Sequence, residues 1–317
     1  MKKKLVLGLF LMGMNSTRAQ QLPGLEENIP FMVTFSKEAE KSWGDDDFNQ
    51  IAFMVVPKTQ KSAVYLRVFD ADVAGKHDEN RGGFNSTTKF SIYGTGCYSS
   101  NEQENKDPVG GYKKGNILFS KAFGADTACD NKWYTFGPIN PAEGELKPEL
   151  GGYVFKIITE GAKGDDGNLY RFFLSTHEDK NNKVEGGNIF VYEYAFRLNA
   201  DKSMTHLYPY VDVNTIAIKE YNFDVDDDAY VKMISMSNPG TKVEVSGDGD
   251  WKESSFEVTE KDKNTSLDVQ IVKTGNARNN NVVFSFTNQR GEHMPFYAIP
   301  IGAIPKKSIV VKPKGKK

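Results

Sequence analysis

The chain is poor in the residues that metal centres and nucleophilic active sites use, with two cysteines and four histidines among 317 residues. These residues show neither the CxxC nor the HExxH spacing of common zinc sites. A GxSxG motif is missing, and neither cysteine has a recognisable histidine partner, so nucleophilic catalysis finds little support. Hydrolysis by two carboxylates stays open, because it needs only a pair of acids about 5–10 Å apart.

The chain also lacks an excess of positive charge, since its formal net charge is −2. Loss of a leader that contains Lys2, Lys3, Lys4 and Arg18 would make the mature chain more acidic still. Nucleic acid demands a basic face, so the composition predicts no nucleic-acid partner.

One apolar run stands out, Leu5 to Met14, which follows three lysines and precedes the small residue Ala19. Ten apolar residues are too few to cross a bilayer of about 30 Å as a helix, so residues 1–19 are predicted to be a cleaved signal peptide. We expect an exported protein of the periplasm or cell surface, with no membrane span in the mature chain. No cysteine follows the cleavage point, so a lipid anchor is not indicated.

In an oxidising compartment, the pair Cys97 and Cys129 favours a disulfide that closes a loop of about 33 residues. The alternative is that each thiol is a separate small apolar residue.

The composition favours sheets, because 21 Phe and 14 Tyr accompany 29 Gly. Short runs with period-two alternation are bounded by glycines throughout the chain. The predicted fold is all-β, with a decorated β-sandwich or jelly roll over 20–213 and a small immunoglobulin-like β-sandwich over 214–304. Residues 305–317 are predicted to be a basic tail.

Two sets of aromatic residues are candidates for core packing or for sugar binding. Phe190, Tyr192, Tyr194 and Phe196 alternate along 189–198, which predicts a buried row or, alternatively, a sugar-stacking face. Four further aromatic residues lie near glycine-rich loops and could stack on sugar rings: Trp43, Tyr98, Tyr112 and Trp133.

The densest acidic constellation, Asp70, Asp72, Asp78 and Glu79, follows the strand predicted over 63–69. Hard oxygen ligands just past a strand can converge on Ca²⁺, so these four residues are the candidate ligands. An EF-hand is rejected, because the fifth place of that pattern would be Ala74 and the twelfth Arg81. The run Asp45 to Asp47 could add oxygens. The alternative is that all these acids are solvated turn residues.

A second acidic run, Asp224 to Asp228, places three carboxylates a pleat apart. Such carboxylates repel one another unless a cation or a Lys or Arg partner faces them. This run is therefore either an ion site or a solvated loop.

The leader, the Gln20-Gln21 start, the loops rich in Gly, Asn and Lys and the two-sandwich layout together resemble exported proteins of Bacteroidetes-type bacteria. Asp126-Thr127-Ala128 resembles the O-glycosylation signal of such proteins, with Thr127 as the acceptor. The resemblance implies a non-catalytic binding or assembly protein that acts through protein–protein contact. One form is an accessory subunit of an outer-membrane complex, such as the type 9 secretion translocon. A carbohydrate-binding protein and a carboxylate-dependent hydrolase are the alternatives.

Overall fold

The computed structural model describes residues 20–99, 111–275 and 280–302. The predicted leader over 1–19 and the basic tail over 305–317 lie outside these ranges. Within them the chain forms twenty-two strands and five single-turn 3-10 helices, the latter at Leu25–Glu27, Lys41–Trp43, Gly111–Lys113, Pro141–Glu143 and Pro148–Leu150. None of the described helices has the length and apolar character needed to span a bilayer. The strands, in chain order, are β1 (Gln21–Leu22), β2 (Phe31–Phe35), β3 (Asn49–Pro57), β4 (Val64–Phe69), β5 (Thr87–Tyr93), β6 (Ile117–Phe123), β7 (Trp133–Ile139), β8 (Glu145–Lys147), β9 (Gly152–Lys163), β10 (Gly167–Ser175), β11 (Asn188–Val191), β12 (Glu193–Arg197), β13 (Thr205–Leu207), β14 (Tyr210–Val211), β15 (Ala217–Phe223), β16 (Ala229–Ile234), β17 (Thr241–Val243), β18 (Trp251–Glu257), β19 (Thr265–Ser266), β20 (Asp268–Lys273), β21 (Asn281–Asn288) and β22 (Phe296–Tyr297).

Three antiparallel sheets dominate the fold. The largest runs in the order β18-β15-β21-β12-β2-β10-β4-β7, the second in the order β22-β11-β3-β9-β5-β6, and the third in the order β13-β20-β16-β17. Strand β1 joins β10, β8 joins β9, and β14 pairs with β19. The all-β prediction is confirmed, and the arrangement is that of packed antiparallel sheets.

Strand β3 illustrates how the layers pack. Its alternate residues Ala52, Met54 and Val56 enter the main core, where residues of both large sheets meet. The residues between them, such as Ile51 and Phe53, pack on the other side of the second sheet in a separate aromatic cluster. Both faces of β3 are therefore buried, which explains its continuous apolar sequence.

Strand pairing crosses the boundary expected near residue 213. Strand β21 pairs with β12 over five residues and with β15 over six, and β22 pairs with β11. The main core is also continuous, since Phe284 of β21 stacks on Phe196 of β12 with ring centroids 5.9 Å apart. The division into two domains stays a prediction, and hydrogen-bonded sheets connect its two parts.

The aromatic row over 189–198 is split between sheets. The chain leaves the second sheet after β11 and enters the largest sheet at β12, so the break falls at Tyr192. Phe190 and Tyr192 belong to the outer aromatic cluster, whereas Tyr194 and Phe196 belong to the main core. All four side chains are buried, which confirms the core interpretation of this row.

Glu220 of β15 is buried in the interior, where Asn222 Nδ2 donates to its Oε1 at 3.0 Å and Oε2 has no hydrogen-bond partner. Burial raises the pKa of Glu220 to about 8, against the opposing hydrogen bond from Asn222. Folding raises the pKa of Glu220, so the neutral carboxyl stabilises the folded state fully at pH values below the ordinary pKa of a glutamate. This contribution to stability is lost as the pH rises through about 8.

We therefore expect Glu220→Gln to be more stable than the parent by roughly 2 kcal/mol at pH 9 and nearly equal to it at pH 5. Urea unfolding at both pH values measures the difference. Glu253→Gln, on the exposed neighbouring strand β18, is the control and should leave the pH dependence unchanged. A difference between Glu220→Gln and the parent that is the same at both pH values would contradict the assignment.

Candidate functional site

The loop over 70–79 follows β4 and is held on two sides. Asp70 N donates to Lys132 O at 2.9 Å, and Val73 N donates to Gly124 O at 3.0 Å, so the connection between β6 and β7 covers one side. On the other side, the backbone groups of Glu79 and Gly167 exchange hydrogen bonds of 2.9 and 3.1 Å at the start of β10. The loop is therefore fixed between the 124–132 connection and β10.

Three carboxylates of this loop share one pattern of hydrogen bonding. Asp70 Oδ1 accepts from Asn131 N at 3.0 Å, Asp72 Oδ2 from Cys129 N at 2.6 Å, and Asp78 Oδ1 from Leu169 N at 2.7 Å. The second oxygen of each carboxylate is buried and has no hydrogen-bond partner. The three side chains are thus anchored chiefly through one oxygen each, and Asp78 also interacts with the backbone of Ala74.

Burial and mutual repulsion disfavour the charged forms of these acids. Burial raises the pKa of Asp78 to about 9, and the charges of Asp70 and Asp72 add to the effect. Burial raises the pKa of Asp70 to about 7, with further contributions from Asp130 and Asp72. The pKa of Asp72 is raised as well, chiefly by burial. The three carboxylates therefore lie within electrostatic reach of one another.

Glu79, the fourth predicted ligand, has another role. Its Oε2 pairs with Arg81 Nη2 at 2.7 Å, and its Oε1 contacts Arg197 and Asn281. The Arg81 guanidinium in turn lies 4.1 Å from the ring centroid of Trp43. Glu79 therefore ties the loop to β12 through a charge pair with Arg197 and to β21 through a hydrogen bond from Asn281, and its oxygens are already used.

Asn168 of β10 is a neighbour that the sequence reading missed. It is fully buried, its Nδ2 donates to Ala71 O at 3.1 Å, and its Oδ1 has no hydrogen-bond partner. The only sequence signal was its place between the Gly164 to Gly167 turn and a predicted strand. The strand predicted there begins at Leu169, so Asn168 was left just outside it.

The hydrogen bonds of the run Asp45 to Asp47 are separate from those of the 70–79 loop. Asp45 is buried and accepts hydrogen bonds from the amides of Phe35 at 2.8 Å and Phe48 at 2.9 Å. Its carboxylate therefore braces the turn before β3. Within the described ranges, one oxygen from each of Asp45, Asp46 and Asp47 lies within 4.8 Å of the others, and the only other such acidic group is Asp224, Asp226 and Asp248.

The second of these groups has a lysine beside it. Lys273 of β20 is buried, with Nζ 3.1 Å from Val225 O and 3.6 Å from Asp226 Oδ2, and it also contacts Asp228. An ammonium group therefore supplies the positive charge that a run of carboxylates requires.

The predicted disulfide is wrong, since Cys97 and Cys129 are both free. Cys97 lies in the outer aromatic cluster, with Sγ 3.6 Å from Val154 O. Cys129 packs against the main core and donates its amide to Asp72. The two thiols belong to different packing clusters, and residue spacing alone could not reveal this separation.

The aromatic residues proposed for sugar stacking contact protein groups. Arg81 covers Trp43, and Arg67 lies 5.2 Å from the ring centroid of Trp133. Tyr98 packs edge-on against Phe53 and hydrogen-bonds Tyr192, while Tyr112 is buried. These contacts anchor loops to the core. The carbohydrate-binding and hydrolase alternatives stay predictions.

Thr127, the predicted glycan acceptor, is exposed on the 124–132 connection. The preceding Asp126 forms a local turn, because its Oδ1 accepts from Ala128 N at 3.0 Å.

A groove lies between the third sheet and the end of the largest sheet. Its volume is about 380 Å³, and the edge strand β18 forms part of its wall. In the described chain, β18 pairs only with β15, and β17 pairs only with β16. The apolar part of the lining consists of Ile218, Met233, Phe256, Val258 and Leu267.

Hydrogen bonds to Asp262 fix the mouth of this groove. Asp262 accepts from the amide and hydroxyl of Ser237, at 2.8 and 2.6 Å, and from those of Thr259, at 2.9 and 2.8 Å. Burial opposes ionisation of Asp262, but these hydrogen bonds outweigh it and lower the pKa to about 2. The two loops beside the groove are therefore held by an ionised carboxylate at all physiological pH values.

Comparisons of the chain with protein-family models and with curated proteins find no match.

Proposed function

We propose that this chain is an exported, non-catalytic protein of the periplasm or cell surface that binds a partner protein. The partner contributes an extended segment, which lies in the groove between β17 and β18. Assembly into an outer-membrane complex, such as the type 9 secretion translocon, is one form of this role. The observation that carries the proposal is an apolar groove bordered by β18, whose outer edge has no strand partner among the described residues.

The geometry suits recognition by strand addition. An edge strand offers unpaired backbone groups, and an added strand gains affinity through main-chain hydrogen bonds and specificity through pockets for alternate side chains. Every second side chain of such a strand would point into the lining formed by Ile218, Met233 and Phe256. The indole ring of Trp251 on β18 is 40% exposed and supplies one further contact for the added strand.

Calcium binding at the acidic loop is a separate matter from this role. The groove is built from β15 to β18 and their loops, whereas the acidic loop follows β4. Calcium binding at this loop therefore stays a separate prediction.

Affinity purification from the native host tests the role with two matched variants. Phe256→Ser removes an apolar side chain from the groove, and Ile117→Ser removes an exposed apolar side chain from β6, an edge strand of the second sheet. We expect a partner recovered with the parent to be retained by Ile117→Ser and reduced at least tenfold with Phe256→Ser, provided that both variants melt like the parent. Equal recovery with both variants, or no partner with the parent, would contradict the proposal.

A further inference from the structure

We infer that residues 308–311 of this chain add to the edge of β18 and fill the groove between β17 and β18 from within the same molecule. These residues belong to the segment 303–317, which lies outside the described ranges. Docking of the segment rests on the proposed function, because both require the groove to accept an added strand, and it names what fills the groove before a partner binds.

The described chain ends beside this groove. Two hydrogen bonds join Ile301 to Ser266 of β19, from Ser266 N to Ile301 O at 2.8 Å and from Ile301 N to Ser266 Oγ at 2.9 Å. Gly302 then packs so closely on Asn264 that a Cβ at position 302 would lie 2.9 Å from Asn264 O. Leu267, the residue after Ser266, lines the groove. The segment that follows Gly302 therefore starts next to the lining.

The segment is long enough to reach β18. Five residues, 303–307, separate Gly302 from Ser308, and an extended chain covers at most about 3.3–3.6 Å per residue, so they can span roughly 17 Å. A short flexible tether also holds its segment at an effective concentration of about 1 mM. Docking within the molecule therefore requires only a modest intrinsic affinity.

The sequence of the segment suits an added strand. Ile309, Val310 and Val311 are all β-branched, and such residues favour strands. Alternation places Ile309 and Val311 on one face and Ser308 and Val310 on the other. The face of Ile309 and Val311 is the more apolar, so it is the face that would lie on the apolar lining. Pro313 cannot donate to a strand ladder and ends the run.

The charges of the segment and the groove are complementary. Residues 303–317 contain no acid and six lysines, namely Lys306, Lys307, Lys312, Lys314, Lys316 and Lys317. The charged residues of the described lining are Glu257 and Asp262, and both are acidic. Glu257 is exposed, so lysines on either side of 308–311 can approach it. Attraction of this kind steers a segment into its groove and is screened by salt.

A partner that uses the same edge must displace 308–311. The segment therefore competes with the partner, and it also covers an edge strand that would otherwise invite non-specific pairing.

Photo-crosslinking of the purified full chain tests this inference. A photoreactive residue at position 255, which lines the groove, is compared with one at position 121 on β6, and both positions are exposed. We expect mass spectrometry of the digested protein to find a link from position 255 to a peptide that contains 308–311. Its yield should not depend on protein concentration, because the link forms within one molecule. Position 121 should give no such link.

Ile309→Ser and Val310→Ser are the matched variants, because each removes one β-branched side chain from an opposite face of the segment. Ile309→Ser should reduce the link by about tenfold or more, and Val310→Ser by less than about twofold. Raising NaCl from about 0.05 to 0.5 M should also reduce it. Hydrogen exchange gives a readout without the photoreactive residue, since the amides of 251–257 should exchange more slowly in the parent than in Ile309→Ser.

No link from position 255, a link that forms between molecules and grows with protein concentration, or equal effects of the two variants would overturn the inference. The proposed function fails separately. A link to 308–311 without any partner recovered from the host would retain the docked segment and contradict the partner, whereas a recovered partner without this link would do the reverse.

Discussion

Replacing Glu79 by alanine is expected to lower the free energy of unfolding by about 3–5 kcal/mol, the usual cost of removing one member of a buried charge network. Glu79 is 3% exposed and bonds with Arg81, Arg197 and Asn281. Its loss would leave the guanidinium of Arg197, which is 14% exposed, without its carboxylate partner. The network also joins the acidic loop to β12 and β21, so the loop should loosen together with the sheet.

Urea unfolding at pH 7 in EGTA measures this loss without any contribution from calcium. Glu292→Ala is the matched control, because Glu292 pairs with Arg290 at 2.6 Å on the surface, with both side chains about half exposed. Exposed pairs contribute less than about 1 kcal/mol. A loss for Glu79→Ala no greater than that for Glu292→Ala would show that the network does not stabilise the fold.

Separating the chain at residue 213 is expected to remove cooperative folding from both fragments. Residues 20–213 would lose β21 beside β12 and β22 beside β11, so β12 and β11 would become unpaired edge strands. The main core would also lose Phe284 and Phe286, which are fully buried. Apolar area of this extent cannot be left in water by a domain whose net stability is only about 5–15 kcal/mol.

Circular dichroism melts of 20–213, 214–302 and 20–302 measure the effect. We expect a single sigmoidal transition for 20–302 and none for the two shorter fragments. In NMR spectra, the amide signals of the shorter fragments should show low dispersion. A sharp transition for 20–213 alone would contradict the account of one continuous core and support the two-domain prediction.

Period-two alternation was sufficient to locate a strand that has one fully buried face. In β4, Val64, Leu66 and Val68 are fully buried, and the predicted start lies one residue from the observed one. Alternation was insufficient for β2 and β3, which were not predicted. Both faces of β3 are buried, so its sequence, NQIAFMVVP, carries no alternation to detect.

Long-range placement was the main thing that the sequence could not provide. The spacing of Cys97 and Cys129 permitted a disulfide. The folded sheets, however, place the two thiols in different packing clusters. Lys273 and Asn168 were missed for the same reason, because each is remote in sequence from the acids that it contacts or neighbours. The acidic loop after β4 was predicted, since Asp70, Asp72 and Asp78 are close in sequence, and calcium binding there stays a prediction.

Photo-crosslinking in the native host tests the central claim, binding of an extended partner segment beside β18, most directly. A photoreactive residue at position 257, beside the groove, is compared with one at position 121 on β6, and both positions are exposed. The account predicts a discrete adduct from position 257 that is reduced when Phe256→Ser is present, and none from position 121. No adduct from position 257, or an equal adduct from both positions, would contradict it.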